Sequence, residues 1–148
     1  MEPSDPKLDH YRRLERLYHT APCNEYFDPR MEISDGSARL RIDIQPQFLN
    51  GNGTLHGSVY FKALDDVAAF AVYSTEEMVV PTSAFTIYFI APASSGTLEA
   101  IGKVVDRAGR IYFVEAEARC GERTVARGSG TYVRTSMPLS SLDAYAGD

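Results

Sequence analysis

Residues 50–73 read NGNGTLHGSVYFKALDDVAAFAVY. A turn rich in Asn and Gly leads through His56 and Gly57 into a helix, about Ser58 to Ser74, that is apolar on nearly every side. A helix of that kind belongs inside a fold. Two aspartates, Asp65 and Asp66, nevertheless sit in its middle, where an ionised carboxylate is costly to keep from water. A carboxylate there needs a partner or a chemical task. Neighbouring helical residues point about 100° apart, so the two cannot both face one small pocket. Lys62 stands three residues before Asp65 and four before Asp66, and either could be its ion-pair partner. Helical spacing leaves the choice between them open.

Outward from this helix, the N-terminal side reads as a helix over about Asp5–Thr20, with Leu8, Tyr11, Leu14, Leu17 and Tyr18 at three- and four-residue steps and Pro22 ending it. A weak strand over Glu25–Ile33, interrupted by Pro29, and a cleanly alternating one over Ala38–Ile44 flank the hairpin signal Asp35-Gly36. After Pro81 come four strand-like runs: about Ser83–Ile90, Gly96–Asp106, Arg110–Cys120 and Thr124–Thr135. The links between them are too short for parallel crossovers. The expected fold is therefore α+β, an antiparallel sheet wrapped around one long central helix, with an extra N-terminal helix. We expect one domain over residues 1–148, with a loose tail from Met137.

At 148 residues and 44% hydrophobic content the chain can bury a sizeable core. A formal net charge of −5 argues against a nucleic-acid or anionic-membrane surface. The longest apolar run, around residues 67–73, is too short to span a bilayer. Cys23 and Cys120 lack metal-ligand spacing, and free thiols in a reducing cytoplasm are the expectation. No metal and no cofactor is implied, and His10 and His19 read as surface residues.

The chemistry-bearing residues resemble a family. The spacing Asn50, His56-Gly57, then Asp65 nine residues after the histidine, is similar to that of hotdog-fold acyl-CoA thioesterases, particularly the phenylacetic-acid-pathway branch. Ser58 departs from it by replacing a second glycine. Thr82–Pro92, Asp106–Arg110 and Val125–Tyr132 resemble the strands and hairpin that follow in that family. The resemblance implies hydrolysis of an acyl- or aryl-CoA thioester, coenzyme A entering only as part of the substrate. It assigns Asp65 as general base or nucleophile, and the N–H of Gly57, at a helix start, as oxyanion donor. Asn50 would position water or the carbonyl, or else serve its Asn-Gly turn. His56 would orient the loop, and Ser58 is a candidate helix cap. By alignment Thr82 reaches the carboxylate, and a one-residue shift gives that place to Ser83. Arg107 and Arg110, at a hairpin tip, would meet the nucleotide phosphates or remain solvated. Dimers or tetramers are implied. Asp66 reads as a carboxylate at a rim or subunit interface, paired with Lys62 or solvent. Two other readings are a hotdog dehydratase or hydratase and a non-catalytic acyl-CoA-binding module.

Overall fold

The computed structural model describes residues 2–147. The first helix, Pro6–His19 (α1), starts where Asp5 accepts the Lys7 N–H at 3.0 Å and Pro6 fills the first turn. Strands Arg30–Ser34 (β1) and Ser37–Asp43 (β2) form a hairpin, with Gly36 at φ +67° in its turn. The long helix Gly57–Tyr73 (α2) follows, then Thr82–Phe89 (β3), Thr97–Ala108 (β4), Ile111–Cys120 (β5) and Arg123–Val133 (β6). A short helix, Asp143–Ala146 (α3), closes the described chain.

All pairings are antiparallel, in the order β1-β2-β4-β5-β6-β3, so β3 leaves α2 and returns to the far edge beside β6. The architecture is the α+β hotdog arrangement, one sheet around a central helix. Val59, Tyr60, Ala63, Leu64, Val67, Ala68, Ala71 and Val72 of α2 are all buried. They pack on Leu40 and Ile42 of β2, Leu98 and Ala100 of β4 and Val114 of β5 in the same core. The helix and the sheet come very close at Gly102 of β4. A Cβ built there would lie 2.6 Å from the Val67 carbonyl oxygen, so the sheet and the α2 backbone meet with no side chain between them.

Two departures from the sequence reading lie in the N-terminal part. The strand expected from Glu25 starts only at Arg30, because Pro22–Asn24 forms a 3-10 turn and the buried Asn24 amide donates to the Tyr18 carbonyl at 2.7 Å. Asp28 then takes φ +46° just before Pro29, a conformation that Asp tolerates better than most residues. Leu8 of α1 is 51% exposed, outside the apolar stripe.

The tail from Met137 is not loose. Leu139 is buried and its N–H donates to the Glu77 carbonyl at 2.8 Å. Arg13 and Arg16 of α1 donate to the carbonyls of Ala144, Tyr145 and Ala146, taking up the free carbonyls at the end of α3. His10 is half-buried rather than a surface residue, with its ring nitrogens 2.7 Å from Tyr145 Oη and 2.8 Å from the Tyr73 carbonyl. His19 takes the Met31 N–H at 3.0 Å and so ties α1 to β1. Cys23 and Cys120 are free thiols. Among the described residues no helix is long and apolar enough to cross a membrane.

Candidate functional site

The start of α2 is built by the turn before it. Asn50 and Thr54 close the turn through the Asn50 N–H to Thr54 carbonyl bond at 2.8 Å. The Asn50 amide stays inside that turn, accepting the Asn52 N–H at 3.0 Å and donating to Thr54 Oγ1 at 3.3 Å. Its turn role is therefore what the free chain displays. Bonds from the Leu55 and His56 N–H groups to the Ala93 and Phe48 carbonyls, 2.7 and 2.9 Å, fix where the helix begins. The cap is His56 and not Ser58: His56 Nδ1 accepts the Ser58 N–H at 3.0 Å and lies 2.7 Å from Ser58 Oγ. Nδ1 of the imidazole is thus engaged at the helix start.

Gly57 is the first helical residue, and its N–H has no acceptor among the described residues. It opens into a cleft of about 320 Å³ lined by Leu55, Gly57, Tyr60, Phe89, Ile90 and Pro92. The Phe89 ring lies over it, 3.1 Å from where a Cβ on Gly57 would stand. Phe89 is 57% exposed, so that ring is free to give way.

Two turns further along, the aspartates diverge as the helical angle requires. Asp65 points to the β3–β6 edge, where Thr82 Oγ1 and Tyr132 Oη each donate to its Oδ1 at 2.8 Å. Thr82 is the residue that reaches it; Ser83 is the extra residue at a bulge between Thr82 and Ala84 and makes no such bond. Asp66 points to α1 instead, accepting from Tyr18 Oη at 2.6 Å and from Lys62 Nζ at 3.0 Å. Lys62 thus belongs to Asp66. That carboxylate is covered by α1 rather than standing at a rim, and burial raises its pKa against the opposing pull of Lys62. Burial and the Asp65 charge push the Tyr132 hydroxyl well above the ordinary phenol range, so it stays protonated and available as a donor.

The sheet register places four side chains in one row beneath Asp65: Arg107, Tyr112, Tyr132 and Thr82 are successive partners across β4, β5, β6 and β3. The Arg107 guanidinium lies 4.7 Å from the Tyr112 ring centre and its Nε donates to the Gly109 carbonyl at 3.0 Å. Arg110, at the same hairpin tip, is exposed. Gly57 and Asp65 are a different matter. Eight residues separate them on one helix, about 12 Å of axial rise.

Tyr132 and Tyr18, the hydroxyl partners of Asp65 and Asp66, are contacts that sequence reasoning missed. In the sequence Tyr18 stands only as part of an apolar stripe. Tyr132 stands in β6, where alternate positions run Gly128, Gly130, Tyr132; an aromatic hydroxyl after two glycines on the helix-facing side was the available signal.

Comparison with known proteins bears on the family and the fold. Residues 52–127, just over half the chain, match the model of the thioesterase superfamily. A protein of Sulfurisphaera tokodaii, provisionally named an esterase, is 26% identical over 102 residues, 68% of this chain and 77% of its own length. The structure of conserved protein PA5202 from Pseudomonas aeruginosa superposes with a TM-score of 0.76 at 26% identity, covering 81% of this chain and 98% of that one. The PaaI protein from the E. coli phenylacetic acid degradation operon superposes at 0.83 with 23% identity, covering 90% and 99%. Because the matching model runs from the turn before α2 into β6 and spans more than half of the chain, the chain belongs to the thioesterase superfamily.

Proposed function

We propose that the protein is an acyl-CoA thioesterase, hydrolysing an acyl- or aryl-CoA to the free acid and coenzyme A. The observation that carries this reading is the pairing of an anchored, half-buried carboxylate at Asp65 with an unoccupied backbone donor at Gly57. The Gly57 N–H, at the positive end of α2, polarises the thioester carbonyl and holds the oxyanion as it forms. Asp65 takes a proton from a water that attacks the carbonyl carbon, or attacks that carbon itself to form an anhydride that water then hydrolyses; in either route the C–S bond breaks and coenzyme A leaves as the thiolate, which takes up a proton.

About 12 Å of helix is too far for both groups of one chain to meet one reacting carbon, since reacting atoms must come within about 3.5 Å. The site is therefore composed from two copies, Gly57 of one and Asp65 of the other. The surface supports that assembly. Edge strand β3 offers an unpaired backbone row, and Tyr88, Phe89 and Ile90 on and after it are 65%, 57% and 52% exposed. A two-fold pairing gives two such sites. Arg110, with Arg107 beside it, meets the nucleotide phosphates of coenzyme A.

A thiol trap with a panel of short, medium and aryl CoA thioesters tests the reading; the aryl members belong there because the E. coli neighbour comes from a phenylacetic acid degradation operon. Thiol release is the expected result. An enoyl absorbance change without thiol release would make the protein a dehydratase or hydratase, and binding without turnover would make it a binding module.

A further inference from the structure

We propose that Tyr132 is a positioning residue that fixes which oxygen of the Asp65 carboxylate does chemistry. This rests on the thioesterase reading and goes beyond it, because the sequence offered one hydroxyl for this carboxylate and the structure supplies two on the same atom. Thr82 Oγ1 and Tyr132 Oη both stand 2.8 Å from Oδ1. Oδ2 has no donor among the described residues. An ionised carboxylate has about four lone-pair sites shared over two oxygens, so this arrangement fills one oxygen and presents the other to water or thioester.

The two donors are not equivalent. Thr82 lies on an exposed edge strand, and its hydroxyl is a small rotor. Tyr132 is fully buried, and its ring ranks among the largest wholly enclosed side chains of the fold. Its Oη is therefore placed by packing and cannot swing away. Oη also lies 3.3 Å from the Asp65 backbone carbonyl, so its single proton, directed to the nearer Oδ1, is held close against the helix backbone. The terminal torsion of an aspartate is broad and soft when nothing holds it; a donor of fixed position turns it into a defined direction. Thr82 and Tyr132 are register partners on adjacent strands, and the bulge at Ser83 lies immediately beyond them, so both hydroxyls meet over one carboxylate oxygen.

Tyr132→Phe deletes only the hydroxyl and keeps the buried ring. It is expected to lower kcat by about 10- to 100-fold, the scale of a misplaced reacting group, with KM changed less than about twofold. In an Asp65→Asn background the same change should have no further effect on residual turnover, because the oxygen it positions is no longer a carboxylate's. A purely structural role would lower melting temperature and leave kcat per folded molecule unchanged, and that result overturns the proposal. So does a kcat loss that persists undiminished in the Asp65→Asn background. Should Tyr132→Phe fold poorly, Thr82→Val against Thr82→Ser reads the same oxygen from the other side: a kcat loss in the valine variant restored by serine supports the arrangement, and equal kcat in both overturns it. Wild-type protein that releases no thiol from any CoA thioester overturns the thioesterase reading itself, with an outcome none of the mutant comparisons can mimic.

Discussion

Asp65 and Asp66 stand about 100° apart around one helix, and that angle sends one carboxylate to two hydroxyls at a sheet edge and the other beneath α1. Their mutants should separate accordingly. Asp65→Asn should retain the fold and lower turnover by at least about 10²-fold, the usual range for a general base, while Asp66→Asn leaves most activity; the reverse ranking in a thiol-release assay would show that the two have been misassigned. Asp66 should instead report in stability. Its folded pKa is raised, burial being the main cause, so the folded state binds the proton more tightly than the unfolded chain does. Its contribution is fully present below the unfolded value of about 3.9 and is lost as pH rises through the folded value. The unfolding free energy of Asp66→Asn minus that of wild type should therefore grow as pH rises from about 4 toward neutrality. A difference flat with pH in denaturant titrations would remove Asp66 as a buried titrating group.

At the scale of elements, α2 and the four strands after it were legible because their periodicity is their burial: an apolar run for the enclosed helix, alternation for strands with one covered face. Local spacing left Asp65 and Asp66 equivalent, and only the resemblance to hotdog thioesterases favoured Asp65. What could not be read were contacts between distant segments. Tyr132 lies 67 residues from Asp65, and no local pattern joins them. The tail looked loose for the same reason, because the arginines that hold α3 sit in α1. Leu139→Ala tests the tail: the side chain is wholly buried, so a loss of about 2–3 kcal/mol is expected, against almost nothing for a disordered segment, with turnover per folded molecule preserved. The hairpin between β4 and β5 gives another comparison. Arg110→Ala should raise KM for a CoA thioester more than for a truncated pantetheine thioester, an effect that shrinks as salt is raised. Arg107→Ala should also cost stability, since that guanidinium already lies over Tyr112 and bonds the Gly109 carbonyl.

For the whole molecule, the separation of Gly57 from Asp65 along α2 makes a prediction about mixtures. Asp65→Asn and Gly57→Ala proteins should each be weak alone; in the second, a methyl meets the Phe89 ring and crowds the approach to the N–H. Co-expressed in equal amounts, half of the dimers are mixed, and each mixed dimer carries one site with both groups intact. Activity should return to about one quarter of wild type by two-fold symmetry. No recovery would mean that each chain works with its own groups. A site shared between two chains would also bear on how much protein a cell must make. Where chains are mostly unpaired, the number of working sites follows the square of their concentration by mass action. Halving expression would then leave about a quarter of the hydrolytic capacity, so output would fall off more steeply than supply, and a second gene copy would count for more than double.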